Sequence, residues 1–280
     1  MRIANVGSRA TILTDDSHGF DVEKASGGLF SSNIADLYAA WTEFTAWAET
    51  ASGDSSEITD TEIDAPSPTP KQIFAIGLNY REHAAESGFA LPDSLVVFTK
   101  FQSSVTGPNT TVSIPAAGHT DWETELVVII GQTARKVRPE TAWDYVAGLT
   151  LGQDLSERIL QSSGPAPQFS LGKSLPGYTP MGPWLATPDE FADRDNVELG
   201  CEVNGIAMQN GHTNDLIFSV PEIISRLSAT LTLYPGDVIF TGTPSGVGLG
   251  REPQVFIAPG DELTSWAEGL GHMRQTFTTD

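Results

Sequence analysis

Asp121-Trp-Glu-Thr-Glu-Leu-Val-Val-Ile-Ile130 is the stretch of sequence that says most about the fold. Two acids, Glu123 and Glu125, stand two residues apart and lead directly into five apolar residues. Residues two apart on a β-strand share a face, so the two carboxylates would lie about 6.6 Å apart along the backbone and point the same way. An unbroken apolar run is typical of a strand buried on both faces. The stretch therefore predicts a core strand with paired acids at its entrance.

Acids in this position need a partner of opposite charge, because an unpaired charge is expensive to bury. A hard divalent cation, Mg²⁺ or Mn²⁺, takes oxygen ligands and would relieve the repulsion. The alternative is a solvated strand face, the commoner fate of a Glu-x-Glu pair taken alone. Asp154 follows another apolar strand, predicted over 145–153, and is a candidate third ligand. The alternative for Asp154 is that it caps a helix over 155–161.

Two further groups of residues could carry chemistry. His83 and Glu86 stand three residues apart and would lie side by side on a helix. A carboxylate beside a histidine orients the ring and raises its basicity, as activation of water requires, although an incidental surface pair would look the same. Lys100 and Lys173, two of only five lysines, have apolar or glycine-rich neighbours and are expected to point into a site. The alternative is that both extend their ammonium groups to water.

Arg158 and a glycine-rich loop are candidates for binding an anion. Arg158 could hold a carboxylate through two parallel hydrogen bonds. The segment 240–248 predicts a strand followed by a loop whose amides, with the hydroxyl of Thr243, could hold a carboxylate. The loop has neither the Rossmann glycine spacing nor a Walker A lysine, and the chain contains no Gly-x-Ser-x-Gly stretch. A nucleotide-binding or serine-hydrolase interpretation therefore has little support.

Composition narrows the class of protein. The 280 residues include 36 acids and 15 Lys or Arg, for a formal charge of −21 and an isoelectric point near 4.4. This charge argues against nucleic acid and against an anionic membrane surface as partners. The single cysteine, Cys201, excludes an intrachain disulfide and every zinc site built on several cysteines. No apolar run approaches the roughly 20 residues of a membrane span, and we expect a soluble cytoplasmic protein.

The chain changes character near residues 65–70. Before this point lie two short strand-like pieces, a helical stretch from Ile34 to Ala51 and an acidic segment. Ala65-Pro-Ser-Pro-Thr-Pro70 then resembles an extended linker. The rest is mostly β, with a hairpin signal at Asn204-Gly205 and a helix predicted over 219–230. We expect a β-rich α+β protein with a small N-terminal domain and linker (1–68) and a catalytic domain (69–280).

Several motifs in this order resemble the fumarylacetoacetate hydrolase superfamily, in its shorter bacterial acylpyruvase-like branch. The resemblance extends from about Ile73 to the C-terminus. It is carried by Gly77–Glu86, Phe98–Lys100, Asp121–Glu125, Gly152–Arg158 with Gln161, Gly172–Ser174, Asn204-Gly205 with Gln209, and Phe240–Val247.

The resemblance implies a fold, an assembly and a set of roles. The fold is a mixed β-sheet roll and the assembly a homodimer with a small-molecule 2-oxo acid substrate. Glu123, Glu125 and Asp154 would hold Mg²⁺ or Mn²⁺. His83 with Glu86, in a segment similar to a mobile lid, would activate water, and Lys173 would stabilise oxyanion charge. The residues expected to bind substrate are Arg158, Gln161, Lys100 and Thr243.

The implied reaction is hydrolysis of a C–C bond in a 2,4-dioxo acid of acylpyruvate type, with fumarylpyruvate, from aromatic catabolism, as the favoured substrate. The same metal–enolate site could instead serve an oxaloacetate decarboxylase or a hydroxydienedioate isomerase, and a non-catalytic metal-binding protein is a further alternative. One position departs from the family pattern. Pro176 stands where many members have an aspartate three residues after the lysine, so an interaction that positions Lys173 is expected to be missing.

Overall fold

A computed structural model describes residues 1–86, 88 and 90–279, so Ser87, Phe89 and Asp280 lie outside the described residues. The described residues form nineteen strands. The strands are β1 (Arg2–Val6), β2 (Arg9–Leu13), β3 (His18–Asp21), β4 (Ser56–Glu57), β5 (Ile63–Asp64), β6 (Ile73–Gly77), β7 (Val96–Thr99), β8 (Val105–Thr106), β9 (Asn109–Ile114), β10 (Thr120–Asp121), β11 (Thr124–Ile130), β12 (Val146–Gln153), β13 (Ser156–Glu157), β14 (Thr179–Ala186), β15 (Glu198–Val203), β16 (Ile206–His212), β17 (Val238–Phe240), β18 (Glu262–Ala267) and β19 (Gly271–Thr279).

Helices are few and mostly short, as the sequence predicts. The described residues form seven α-helices, with several 3₁₀ turns between the elements. The helices are α1 (Val22–Ala25), α2 (Ile34–Leu37), α3 (Trp41–Ala48), α4 (Arg81–Glu86), α5 (Arg158–Gln161), α6 (Phe169–Gly172) and α7 (Val220–Thr230). The predicted β-rich α+β class is confirmed.

The strands form one large mixed sheet and two smaller ones. The large sheet has the order β4-β3-β2-β1-β14-β12-β11-β17-β6-β7, with β5 and β8 pairing at its side. A five-stranded sheet has the order β16-β15-β18-β19-β9, and β10 pairs with β13. Strands β11, β12 and β17 are central in the large sheet, and β7 is an edge strand.

The apolar run of β11 is buried on both faces, as predicted. Leu126, Val128 and Ile130 join a core formed with the five-stranded sheet and α7. Val127 and Ile129 point the other way, into a second core. Each such side chain contributes roughly 1.5–3 kcal/mol by leaving water. Burial of these side chains therefore fixes the strand, and with it the two acids at its start, Glu123 and Glu125.

The N-terminal segment supplies the second core. The helical stretch predicted over 34–51 consists of α2, a 3₁₀ turn and α3, and its apolar face, including Leu37, Trp41 and Phe44, packs with Val127 and Ile129. Strand β1 pairs antiparallel with β14, so the segment also extends the large sheet. The N-terminal segment thus shares a sheet and a core with the rest of the chain. The division of the chain at residue 68 stays a prediction.

The hairpin and the long helix are confirmed. Asn204 and Gly205 both have positive φ (52° and 75°), as a two-residue turn between β15 and β16 requires. Helix α7 begins after Ser219, whose side chain forms a capping box with Glu222. Cys201 is fully buried, and burial raises the pKa of its thiol to about 12. Among the described residues, no helix is long and apolar enough to cross a membrane.

Candidate active site

The ends of β11 and β12 bring three acids together. The two strands are antiparallel, and the amide of Asp154 donates to the carbonyl of Glu123 at 2.9 Å. One carboxylate oxygen from each of Glu123, Glu125 and Asp154 lies within 4.8 Å of the other two. The three residues are 8%, 2% and 0% exposed. The alternative of a solvated strand face is therefore wrong.

The alternative for Asp154, a helix cap, is also wrong. Helix α5 begins at Arg158, and its cap is Glu157, which accepts hydrogen bonds from the amides of Ile159 and Leu160. The helix predicted over 155–161 starts late because Ser156 and Glu157 pair with β10 as a short strand. Asp154 is thereby left free to face the other two acids.

Both lysines are buried and bound to these acids. The ammonium group of Lys173 donates to Glu123 Oε2 at 2.6 Å and to Asp154 Oδ2 at 2.7 Å. Lys100 donates to Asp154 Oδ1 and to the carbonyl of Tyr178. Neither extends to water, since they are 1% and 2% exposed. The acids, rather than a residue at position 176, hold Lys173 in place.

Arg158 is bound by acids on two sides. Its Nε and Nη2 donate to Asp121 Oδ2 at 2.8 and 2.6 Å, and its Nη1 lies 2.8 Å from Glu123 Oε1. The same Nη1 donates to Gln161 Oε1 at 3.0 Å. Arg158 thus connects the acid cluster to Asp121 and Gln161.

The acids have opposite electrostatic surroundings. Burial acts to raise the pKa of Glu123, but attraction from Lys173 and Arg158 exceeds it and lowers that pKa to about 2. Burial, with repulsion from Asp154 and Glu123, raises the pKa of Glu125 well above its usual value. Glu125 is therefore the acid with least compensation from the protein's own cations.

The lysines also differ. Burial acts to lower the pKa of Lys173, but the charges of Asp154 and Glu123 exceed it, so that pKa is raised. Burial dominates for Lys100, and its pKa is lowered.

The glycine-rich loop after β17 holds carboxylates of the protein itself. The amide of Gly242 donates to Glu125 Oε2 at 2.6 Å. The amide of Gly246 donates to Glu86, and those of Gly248 and Leu249 donate to Asp121. We expect the loop to hold a carboxylate, and in the structure its amides bind three carboxylates of the protein, those of Glu86, Asp121 and Glu125.

His83 and Glu86 form the predicted pair on helix α4. His83 Nδ1 lies 3.2 Å from Glu86 Oε2, and the side chains are 14% and 22% exposed. Because a carboxylate accepts, Nδ1 carries the proton and Nε2 is left with a free lone pair. The start of the helix is anchored by Arg81, which donates to the carbonyls of Asp215 and Leu216.

These groups open into one cavity of about 620 Å³, within the size range of small-molecule sites. Lys100 and Asp154 do not line it, and the two side chains are bound to each other. Thr243 lines it, but its hydroxyl donates to the carbonyl of Thr124 and accepts from Gln209. The predicted site residues that line the cavity are His83, Glu86, Glu123, Glu125, Arg158, Gln161, Lys173 and Thr243.

Three buried side chains that support the site were not predicted as site residues. Asp121 orients Arg158, Gln153 accepts from the amide of Glu123, and Gln209 accepts from the amide of Thr124. The signal for Asp121 was present, because residues 121, 123 and 125 have the same strand parity. Both glutamines fall in motifs that carry the family resemblance, but their contacts join distant segments and cannot be read from local pattern.

The arrangement fits a hard divalent cation. Three carboxylates converge, and Glu125 is poorly compensated, as a cation would correct. Seven buried ionisable groups surround the acid cluster or belong to it, and with all seven ionised their charges sum to one net negative charge. These groups are the acids Asp121, Glu123, Glu125 and Asp154 and the cations Lys100, Lys173 and Arg158.

Known proteins place the chain in a family. Residues 72–278 match the family described as fumarylacetoacetate (FAA) hydrolase C-terminal. A 2,4-didehydro-3-deoxy-L-rhamnonate hydrolase from Sphingomonas sp. SKA58 is 45% identical over 206 residues, which are 73% of this chain and 72% of the relative. The human mitochondrial oxaloacetate tautomerase FAHD2A is 40% identical over 208 residues, 74% of this chain and 66% of the relative.

Solved structures share the whole fold. A protein from Mycobacterium smegmatis, provisionally named HpcE, has a TM-score of 0.95 and 51% identity, with 100% of this chain and 99% of that chain covered. A maleylpyruvate hydrolase from Sphingobium sp. SYK-6, solved with manganese(II) and pyruvate, has a TM-score of 0.78 and 26% identity, with 100% and 99% covered. This chain belongs to the fumarylacetoacetate hydrolase family, whose members among its relatives are named as hydrolases, isomerases and tautomerases.

Proposed function

We propose that the protein is a divalent-metal-dependent hydrolase that cleaves the C3–C4 bond of an acylpyruvate. In the balanced reaction, R–CO–CH₂–CO–COO⁻ and water give R–COO⁻, a proton and pyruvate. The observation that carries the proposal is that a histidine–glutamate pair lines the same cavity as Glu123 and Glu125, two of the three clustered acids.

The acid end of the cavity would bind the 2-oxo acid. Glu123, Glu125 and Asp154 would hold Mg²⁺ or Mn²⁺, which as a Lewis acid shares the charge of the enolate formed when the C–C bond breaks. Arg158 and Gln161 would contact the 1-carboxylate, and Thr243, which also lines the cavity, would help to seat it. Lys100, expected to bind substrate, is better suited to holding Asp154, because its ammonium group is buried against that acid.

The histidine–glutamate pair would activate water. With Nδ1–H held by Glu86, His83 Nε2 can accept a proton from water as that water attacks the C4 carbonyl. Glu86 keeps the ring oriented, and Gly246 keeps Glu86 in place. The proton on His83 is then available to C3 of the departing pyruvate carbanion.

Lys173 would stabilise the oxyanion at C4. An ammonium group has three N–H donors, and two of those of Lys173 donate to Glu123 and Asp154. The third can donate to the oxyanion, where a fixed donor in a dry site contributes most.

The relatives support the reaction class. The name of the Sphingomonas hydrolase denotes a sugar acid with oxo groups at C2 and C4 and a methylene at C3, the pattern of an acylpyruvate. The manganese and pyruvate bound to the Sphingobium hydrolase are the metal and product types proposed here.

The same acid cluster could serve a reaction without hydrolytic water, such as decarboxylation or tautomerisation of oxaloacetate or isomerisation of a hydroxydienedioate. Relatives with tautomerase and isomerase names make this the main alternative. The test is to supply acylpyruvates and oxaloacetate to the metal-loaded protein and to its His83→Ala variant. Release of pyruvate from acylpyruvate, lost in the variant, is expected. Turnover of oxaloacetate alone, intact in the variant, would contradict the proposal.

We also propose that the protein is a homodimer, as the family resemblance implies. Light scattering should give about twice the chain mass of 29.9 kDa. A mass of a single chain at micromolar concentration would contradict this.

A further inference from the structure

One wall of the active-site cavity is apolar. It is built by β6, β7, α6 and the loop after β17, and β7 contributes Val96 and Phe98, which are two residues apart and share a face. The rings of Phe98 and Phe169 meet edge to face at 5.5 Å. The apolar wall is Ile76, Val96, Phe98, Phe169, Val247 and Leu249.

The cations of the cavity are all engaged at its acid end. Among the described residues, Arg158 and Lys173 are the only Lys or Arg side chains that line the cavity. Arg158 binds Asp121 and Glu123, and Lys173 binds Glu123 and Asp154. Ser87 and Phe89, outside the described residues, have uncharged side chains wherever they lie. Lys173 also lies 5.1 Å from the centre of the Phe98 ring, but Glu123 and Asp154 hold it and its third N–H is assigned to the C4 oxyanion. The apolar wall is therefore left without a cation for a second carboxylate.

We infer that the substrate's acyl group is neutral and apolar, so that the enzyme acts on 2,4-dioxo acids with an alkyl or aryl chain. The inference rests on the proposed function, in which the acid cluster and Arg158 take the pyruvate end. The acyl chain then lies against the apolar wall. A carboxylate there would lose part of its hydration, although Val96 and Leu249 are 40% and 42% exposed, and would gain no counter-ion. An alkyl chain would gain from leaving water. The inference replaces the hypothesis that fumarylpyruvate is the favoured substrate.

The test compares two substrates that differ at one end. Butanoylpyruvate and succinylpyruvate have acyl chains of equal length, and a terminal methyl in the first is a carboxylate in the second. With the Mn²⁺-loaded enzyme, kcat/KM for butanoylpyruvate, measured by pyruvate release, should exceed that for succinylpyruvate by at least about 100-fold. It should also exceed that for acetylpyruvate by about tenfold, because two methylenes are added.

The outcomes separate this inference from the proposed function. Equal or better cleavage of succinylpyruvate would overturn the inference and leave the hydrolase proposal standing. No pyruvate from either substrate would overturn the hydrolase proposal and the inference with it.

Two adjacent residues of β7 give a matched pair of variants. Val96 lines the cavity, whereas Val97 faces the other side of the strand, and they are 40% and 43% exposed. Val96→Lys should raise the ratio of kcat/KM for succinylpyruvate over butanoylpyruvate at least about tenfold, because the new ammonium group can pair with the carboxylate. Val97→Lys should leave the ratio within about twofold. Equal ratios in the two variants would show that the acyl chain does not lie against this wall.

Discussion

Glu123 and Glu125 of the acid cluster line the same cavity as His83 and Glu86, but the acid cluster and the His83–Glu86 pair are held in different ways. The side chains of Glu123 and Asp154 are 10% and 0% exposed, and each binds more than one cation. His83 and Glu86 are more exposed, and the contact that joins them is a single one of 3.2 Å. The acid cluster is thus held by several buried ion pairs, whereas Glu86 is held by the amide of Gly246 and His83 by its contact with Glu86. Under the proposed function, the acids would hold the metal ion and the pair would activate water.

Asp154→Asn should have the largest effect, because it removes a carboxylate at the centre of the cluster while keeping its shape. We expect loss of Mn²⁺ binding in equilibrium dialysis and a fall in kcat of at least about 10⁴-fold. Excess chelator should inactivate the unchanged protein, and Mg²⁺ or Mn²⁺ should restore it.

The exposed residue Asp54 offers a matched control for charge. Asp54→Asn should bind Mn²⁺ and turn over normally. Full activity of Asp154→Asn, or of the unchanged protein in chelator, would show that the cluster is not a catalytic metal site.

His83→Ala should lower the rate of hydrolysis without changing metal binding at the acid cluster. Hydrolysis should fall about 10²–10⁴-fold, the usual contribution of a general base, while Mn²⁺ affinity stays unchanged. Steady-state kinetics and dialysis on the same sample check both results, with His272→Ala, at an exposed histidine, as control. If metal binding falls together with activity, the two regions are not separable.

The rigid half of the site was largely predictable from sequence. Glu123, Glu125 and the apolar residues after them form one strand, so their parity and burial follow from local pattern. Lys100 and Lys173 were singled out because of their apolar neighbours, but their partners were not predictable. Lys100 binds Asp154, 54 residues along the chain, and Lys173 binds Glu123 and Asp154, 50 and 19 residues away. These residues meet only through sheet pairing.

The fold of the segments other than β11 was less predictable from the sequence. Strand β14 reads Thr-Pro-Met-Gly-Pro-Trp-Leu-Ala, and its two prolines hide a buried strand in the middle of the large sheet. The N-terminal segment was expected to form its own domain because a proline-rich stretch follows it. Its pairing with β14 and its packing on β11 are tertiary contacts with no local signal.

Asp121→Asn should have a smaller effect than loss of either reactive group. Asp121 fixes Arg158 through two hydrogen bonds and also binds the loop that holds Glu86. We expect kcat/KM to fall about 10–100-fold, chiefly through a higher KM, since a loosened Arg158 binds the carboxylate less well. An unchanged KM with a lower kcat would mean that Asp121 acts on the reaction through the loop instead.

The smallest effect concerns motion. The predicted lid, residues 80–92, includes Ser87 and Phe89, which lie outside the described residues. With Mn²⁺ and oxalate bound, the amides of residues 80–86 and 90–92 should gain protection in hydrogen exchange, because a lid closes over its ligand. Peptides from helix α7, which packs in the core, should not change. Equal protection of residues 80–92 in both states would count against a lid.

The central claim is that three side chains from two neighbouring strands hold one divalent ion that binds a 2-oxo acid. An anomalous-scattering crystal structure with Mn²⁺ and oxalate tests it most directly. We expect one peak at about 2.0–2.3 Å from an oxygen of each of Glu123, Glu125 and Asp154, with oxalate completing the coordination. A peak bound elsewhere, or oxalate bound in the cavity without a metal, would contradict it.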